Sequence, residues 1–189
     1  MQARGTSPTW LFAYGSLLWR PGFSFDERVR GYIRGWSRRF WQGSPDHRGV
    51  AEAPGRVVTL VPSELELCWG VAYRLGDSTR EAILDSLDLR EQGGYERHSV
   101  EFHCADGHRS GAFSALVYLA GPENPHYLGP APLYSIAEQA RRAQGPSGGN
   151  LDYVLRLSAS LGELGVQDDH VEELAALLRD QWPGAGRPD

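Results

Sequence analysis

Through the first two-thirds of this chain, apolar residues come in short runs separated by polar turn residues. The first run, Trp10–Tyr14 (WLFAY), predicts a strand. Val29–Gly43 predicts a long strand or bent pair, with Gly31 and Gly35 as its bulges or bends. Arg56–Pro62 and Leu67–Leu75 read as two further strands, separated by the polar turn Ser63–Glu66. Within Tyr95–Ala105 the apolar Val100, Phe102 and Cys104 alternate with polar neighbours, and Ala112–Ala120 completes the set.

One helical stretch interrupts the strands. Ser78-Thr79-Arg80-Glu81 fits a capping box, Ile83, Leu84 and Leu87 supply a buried stripe, and Gly93-Gly94 ends the helix. The last third is helical throughout. Pro132 suits a first helical turn, with Ile136, Ala137 and Ala140 on one face. Asn150 is the expected cap of a helix carrying Val154, Leu155 and Leu161. Asp168 is the expected cap of another carrying Val171, Leu174, Leu178 and Trp182.

Many strands with segregated helices predict an α+β fold: a small closed or curled β-barrel with flanking helices and a helical C-terminal third. At 189 residues the chain is long enough for one sizeable core. Residues 1–182 are expected to form a single domain, with 183–189 as a disordered tail.

Composition narrows the function classes. The formal net charge of −5 disfavours a nucleic-acid or anionic-membrane partner. No apolar run reaches membrane-spanning length, and no signal pattern opens the chain. The only cysteines, Cys68 and Cys104, sit in strand-like segments and read as buried thiols. These features predict a cytoplasmic protein.

Two stretches carry candidate chemistry. Glu91, in LDLREQGGYER, falls in the last turn of the predicted helix, where the dipole disfavours a carboxylate. Partial desolvation there would raise its pKa and suit a general base, whereas full exposure would leave an ordinary glutamate at a frayed helix end. Gly15 and Ser16 interrupt the apolar run of WLFAYGSLLW, a poor choice for a plain core strand. The turn Tyr14–Leu17 is either an anion cradle made of backbone N–H groups or a β-bulge at a barrel rim. GPSGGN, residues 145–150, lacks the lysine of a phosphate loop and reads as a helix–helix turn. His98, His103 and His108 are spaced by five, which puts strand neighbours on opposite faces, so no shared metal is expected. Arg30, Arg34 and Arg38 share a strand face with Tyr32, Trp36 and Phe40, which we read as a wall of the barrel.

Four stretches, in order, carry a longer resemblance: FAYGSLLWRP, SRRFWQGSPDHRGVAEAPGRVVTL, WGVAYRL with REQGGYER, and NPHYLGPAPLYSIAEQARRAQGPSGGN. Together they resemble the ChaC family of glutathione-specific γ-glutamylcyclotransferases. The resemblance implies cleavage of reduced glutathione to 5-oxoproline and Cys-Gly with no cofactor and no metal. It assigns the catalytic glutamate to Glu91 and the γ-glutamyl site to Ala13, Tyr14, Gly15, Ser16, Leu17 and Leu18, with the N–H groups of Gly15, Ser16 and Leu17 facing the substrate. It adds Arg56 and Tyr127 as further substrate-binding candidates. Ala13 departs from the glycine of many relatives. Leu17 stands where cyclotransferases acting on γ-glutamyl amino acids usually carry asparagine. The alternatives are that sister activity, on other γ-glutamyl amino acids or amines, and a non-catalytic γ-glutamyl sensor.

Overall fold

The computed structural model describes residues 8–90, 94–105 and 111–180. Five strands close a barrel: β1 (Thr9–Ala13), β2 (Glu27–Ser44), β3 (Gly55–Leu75), β4 (Glu96–Cys104) and β5 (Ala112–Leu119). Their order around the barrel is β1-β3-β2-β4-β5. Neighbours are antiparallel except β1 and β5, which meet in parallel at Leu11 and Leu116. Closure leaves no edge strand among these five. Phe12, Ile33, Val71, Phe102 and Val117 fill the core.

The glycines Gly31 and Gly70 face each other across β2 and β3. A Cβ on Gly31 would lie 2.1 Å from the His103 carbonyl oxygen, and one on Gly70 2.2 Å from that of Ala13. Close backbone approach therefore requires glycine at both positions. Gly31 is thus a crossing point rather than a bulge, while Gly35, with φ of +79°, marks the predicted irregularity.

Two further expectations about β2 and β3 change in the folded chain. Ser63–Glu66 is no turn, since β3 runs unbroken from Gly55 to Leu75. The register jumps from Arg34↔Leu67 to Trp36↔Pro62, so Gly35 alone faces four residues of β3. Polarity marked an extended bulge. The arginine face is likewise divided. Val29, Gly31 and Ile33 are buried before the irregularity, and Arg38, Phe40 and Gln42 after it, so the buried positions switch parity. An inserted residue does this to any strand with period-two alternation.

Helix α1 (Arg80–Arg90) buries Ile83, Leu84 and Leu87 as expected. The capping box does not close, because Thr79 occupies the boundary position. Its hydroxyl donates to the Gly76 carbonyl at 3.3 Å, and the residue three further on is Ala82. Helix α2 (Leu133–Arg142) buries Ile136, Ala137 and Ala140. The two short strands β6 (Gln144–Gly145) and β7 (Gly148–Gly149) make the α2–α3 connection a small hairpin. Helices α3 (Asn150–Glu163) and α4 (Asp169–Asp180) follow. The Val171 N–H donates to Asp168 Oδ1 at 3.2 Å, so Asp168 caps α4. Trp182 and the tail 183–189 lie outside the described residues.

Asn150 is not a helix cap. Its Oδ1 accepts from the Arg56 N–H and its Nδ2 donates to the Arg56 carbonyl, both at 2.7 Å, with the side chain wholly buried. The amide thus copies a strand partner and ties α3 to β3. We expect Asn150→Ala to lower stability by about 2–4 kcal/mol, since it leaves two buried backbone groups without partners. Urea unfolding measures this, and a loss below about 1 kcal/mol would show that the bridge contributes little beyond a neutral hydrogen bond.

Candidate functional site

β1 ends at Ala13, and the chain turns through Tyr14 and Gly15 into a 3-10 turn at Ser16–Leu18. Each carbonyl of the turn has a donor. Arg38 Nε donates to the Tyr14 carbonyl at 2.8 Å and Leu18 N–H to that of Gly15 at 3.0 Å. Arg20 N–H donates to the Ser16 carbonyl at 2.9 Å and Tyr73 Oη to that of Leu17 at 2.9 Å. The N–H groups of Gly15, Ser16 and Leu17, by contrast, make no hydrogen bond among the described residues. Successive N–H groups without protein acceptors are the raw material of an anion-binding concavity.

Those residues line a small cavity of about 60 Å³ together with Ala13, Tyr14, Val58, Tyr95, Tyr118 and Tyr153. Space at Gly15 is tight. A Cβ would stand 3.1 Å from Val58 Cγ2 and 3.2 Å from Tyr153 Oη, and φ is an ordinary −125°. Ser16, Tyr95 and Tyr153 also line a larger cavity of about 360 Å³ beside it. Among the described residues, the charged lining of that outer chamber is Arg20, Arg48 and Arg90 set against Asp46, with His47 and His126 beside them. Arg90 donates to Ser16 Oγ at 2.8 Å. Burial lowers the pKa of Arg48, whose guanidinium stands over the Tyr153 ring and donates to the Gly149 carbonyl. Among the described residues it has no carboxylate within ion-pair distance.

The predicted site residues divide into three groups. Ala13, Tyr14, Gly15, Ser16 and Leu17 come together around the inner cavity, and Leu18 is buried behind them. Glu91 lies outside the described residues; its neighbour Arg90 lines the outer chamber. Arg56 and Tyr127 line neither cavity. The Arg56 guanidinium donates to Gln139 Oε1 and to the carbonyls of Phe40 and Gly129, and Tyr127 bridges Gln42. Among the described residues, no cluster of three or more His, Cys, Asp or Glu side chains could hold a metal ion. No described helix is long and apolar enough to cross a membrane.

Comparison with known proteins places this chain in a wider group. The family model described as ChaC-like protein matches residues 9–181. The chain belongs to the ChaC family. It is 45% identical over 178 residues to Glutathione-specific gamma-glutamylcyclotransferase 1 of Homo sapiens, covering 92% of this chain and 80% of that protein. Gamma-glutamylcyclotransferase 2-3 of Arabidopsis thaliana is 43% identical over 176 residues, covering 90% of this chain and 88% of the relative. A crystal structure of a yeast gamma-glutamyl cyclotransferase specific to glutathione shares the fold. Its TM-score is 0.86 at 24% identity, over 96% of this chain and 100% of that one.

In this ChaC-family protein, the aromatic wall of Tyr95, Tyr118 and Tyr153 around the inner cavity escaped sequence reasoning. Tyr95 directly follows Gly-Gly, and that adjacency was the one usable signal. Tyr153 sits on α3, far along the chain from the turn it touches, and nothing local marks it. Its ring packs edge-on against Trp19 and Phe40, and Phe40 in turn stacks on His170.

His170 is held neutral. Its Nε2 accepts from the Phe40 N–H at 3.1 Å, and burial, aided by the Arg39 charge, pushes its pKa down to about 4 from an ordinary 6.5. A folded-state pKa below the unfolded one means stability that is complete above pH 6.5 and lost as pH falls toward 4. His170→Gln keeps an acceptor but cannot titrate. Its unfolding free energy should fall less steeply than the parent's across that window, and parallel curves would remove His170 from the acid response.

Proposed function

We propose that this protein cleaves reduced glutathione to 5-oxoproline and Cys-Gly. The observation that carries the reading is the row of N–H groups at Gly15, Ser16 and Leu17, unpartnered among the described residues, in a turn that lines a small cavity beside an arginine-lined chamber. A γ-glutamyl group fits the inner cavity. The outer chamber offers arginines to the carboxylate of the Cys-Gly part. The glutathione-specific activity named for its ChaC relatives supports the same substrate.

The chemistry follows from the substrate. The α-amino nitrogen of the γ-glutamyl residue attacks its own γ-carbonyl carbon. A C–N bond forms, closing a five-membered lactam, and the amide bond to cysteine breaks. Because the attack is intramolecular, folding the substrate into a near-attack conformer supplies much of the acceleration. Glu91 takes the proton from the ammonium and returns it to the departing amine. The turn N–H groups, with the side chains of Ala13 and Leu18 behind them, hold the γ-carbonyl as it becomes an oxyanion. Balance requires no oxidant, nucleophilic side chain or metal. The proposed compartment is the cytoplasm, where reduced thiols persist; burial holds the Cys68 thiol up at about 11.

Incubation with reduced glutathione, followed by chromatography for 5-oxoproline and Cys-Gly, tests the proposal. Glu91→Gln should lower kcat by about a hundredfold to ten-thousandfold with binding retained. Activity within a few-fold of the parent would remove Glu91 from the mechanism. No turnover by the parent would leave a γ-glutamyl-binding protein.

Gly15→Val should cost far more activity than stability. Its branched side chain must enter the space already held by Val58 and Tyr153. We expect kcat/KM to drop by at least about a hundredfold, as in the loss of an oxyanion donor, with a cooperative melt retained. A folded variant of parental activity would make the turn a purely structural device.

A further inference from the structure

We propose that Arg38 is a positioning residue for the reaction: its guanidinium sets the Tyr14–Gly15 peptide and thereby presents the Gly15 N–H to the developing oxyanion. The inference rests on the cyclotransferase reading above. The Arg38 side chain has no solvent exposure, and its nitrogens go to three separate elements. Nε donates to the Tyr14 carbonyl at 2.8 Å, Nη1 to Asp168 Oδ2 at 2.7 Å, and Nη2 to the Trp69 carbonyl on β3.

The peptide bond links that carbonyl to the cavity. The chain has no cis peptide among its described residues. In a planar trans peptide, C=O and N–H point to opposite sides, so anchoring the Tyr14 oxygen fixes where the Gly15 N–H points. A cationic donor on the oxygen also polarises the amide, and hydrogen bonds in such a chain strengthen one another. The two following peptides, which present the Ser16 and Leu17 N–H groups, are fixed by neutral donors, the Leu18 N–H on the Gly15 carbonyl and the N–H groups of Trp19 and Arg20 on that of Ser16. Only the Gly15 N–H, within the turn, stands behind a charged group.

Stability alone gives little reason for a wholly buried arginine, because apolar replacements of buried ion pairs are often as stable. Asp168 completes the device with both oxygens. Oδ2 takes Arg38, while Oδ1 caps α4 through the Val171 N–H. The first turn of α4 therefore holds the guanidinium that holds the turn.

Two variants and one control test this. Arg38→Lys keeps the charge, but one ammonium cannot span the carbonyls of Tyr14 and Trp69 together with Asp168. Asp168→Asn keeps an N-cap and removes only the charge. Leu174→Ala weakens the same helix at a buried position that supplies none of the hydrogen bonds of Arg38 or Asp168. Tyr14–Gly15 is the sole Tyr-Gly step in the sequence. Carbonyl-13C tyrosine with 15N glycine therefore gives one amide resonance, that of Gly15.

For Arg38→Lys we expect kcat on reduced glutathione to fall about tenfold to a hundredfold, with KM within about threefold of the parent. Its Gly15 amide proton should move upfield. Asp168→Asn should shift both readings in the same direction by less. Leu174→Ala should lose stability yet keep kcat within about twofold and the resonance in place. A folded Arg38→Lys with parental kcat or an unmoved resonance overturns the proposal, as does an equal loss of kcat in Leu174→Ala. Should Arg38→Lys not fold, Asp168→Asn decides on the same two readings. If the parent turns over no glutathione, the cyclotransferase reading fails, and the Gly15 resonance still decides whether Arg38 sets this peptide.

Discussion

A buried guanidinium must be met on every side, and Arg38 is met by the turn at Tyr14, by β3 and by the Asp168 cap of α4. Removing one partner from such a group costs ~3–5 kcal/mol, because a charge is then left without compensation. That requirement ties together parts of the chain that would otherwise pack independently. The irregularity at Gly35 changes the parity of β2, so that Arg38 and Phe40 are buried while Tyr32 and Arg34 remain at the surface. Arg38 then reaches Tyr14, and Phe40 meets Tyr153 and His170. A one-residue slip in the β2–β3 register would break all of these contacts at once.

A second set of polar contacts builds the outer chamber. Asn150 pairs with the backbone of Arg56, and the Arg56 side chain reaches α2 and the segment at Gly129. The β6–β7 hairpin lies against the 44–49 loop, where the Ser147 N–H donates to the His47 carbonyl at 2.9 Å. Gly145 is needed there, since a Cβ would come within 2.3 Å of that carbonyl oxygen. These contacts place Arg48 on the Tyr153 ring at the junction of the two cavities. Desolvation makes such a cation costly, and an anionic ligand group would offset it. The proposed lactam closure uses both halves. Neutral N–H donors serve the reacting carbonyl, and cations serve the remote end of the substrate.

Most elements were legible because their signals are local. The alternation of Val100, Phe102 and Cys104, the stripe of Ile83, Leu84 and Leu87, and Asp168 before α4 each depend on near neighbours alone. The interrupted strand at Gly15 and Ser16 marked a break in the apolar run, and the structure puts the resulting turn at a cavity. The misreadings share one cause. Polar Ser63–Glu66 looked like a turn, but β3 absorbs it as a bulge. Asn150 looked like a cap, yet strand backbone brought beside it offered a better pair of partners.

By itself the sequence determined the α+β class, the strand-rich first part, the helical end and the turn that floors the inner cavity. Periodicity and capping act over a few residues, so one chain segment suffices to reveal them. Only the tertiary structure decided which arginine is buried, which tyrosines wall the cavity and what Asn150 binds. Those outcomes depend on partners up to 130 residues apart, as for Arg38 and Asp168. Such a pairing is chosen by the shape of the closed barrel and by the cost of leaving a desolvated polar group unpaired. No local pattern encodes that cost, because it exists only once the chain has folded.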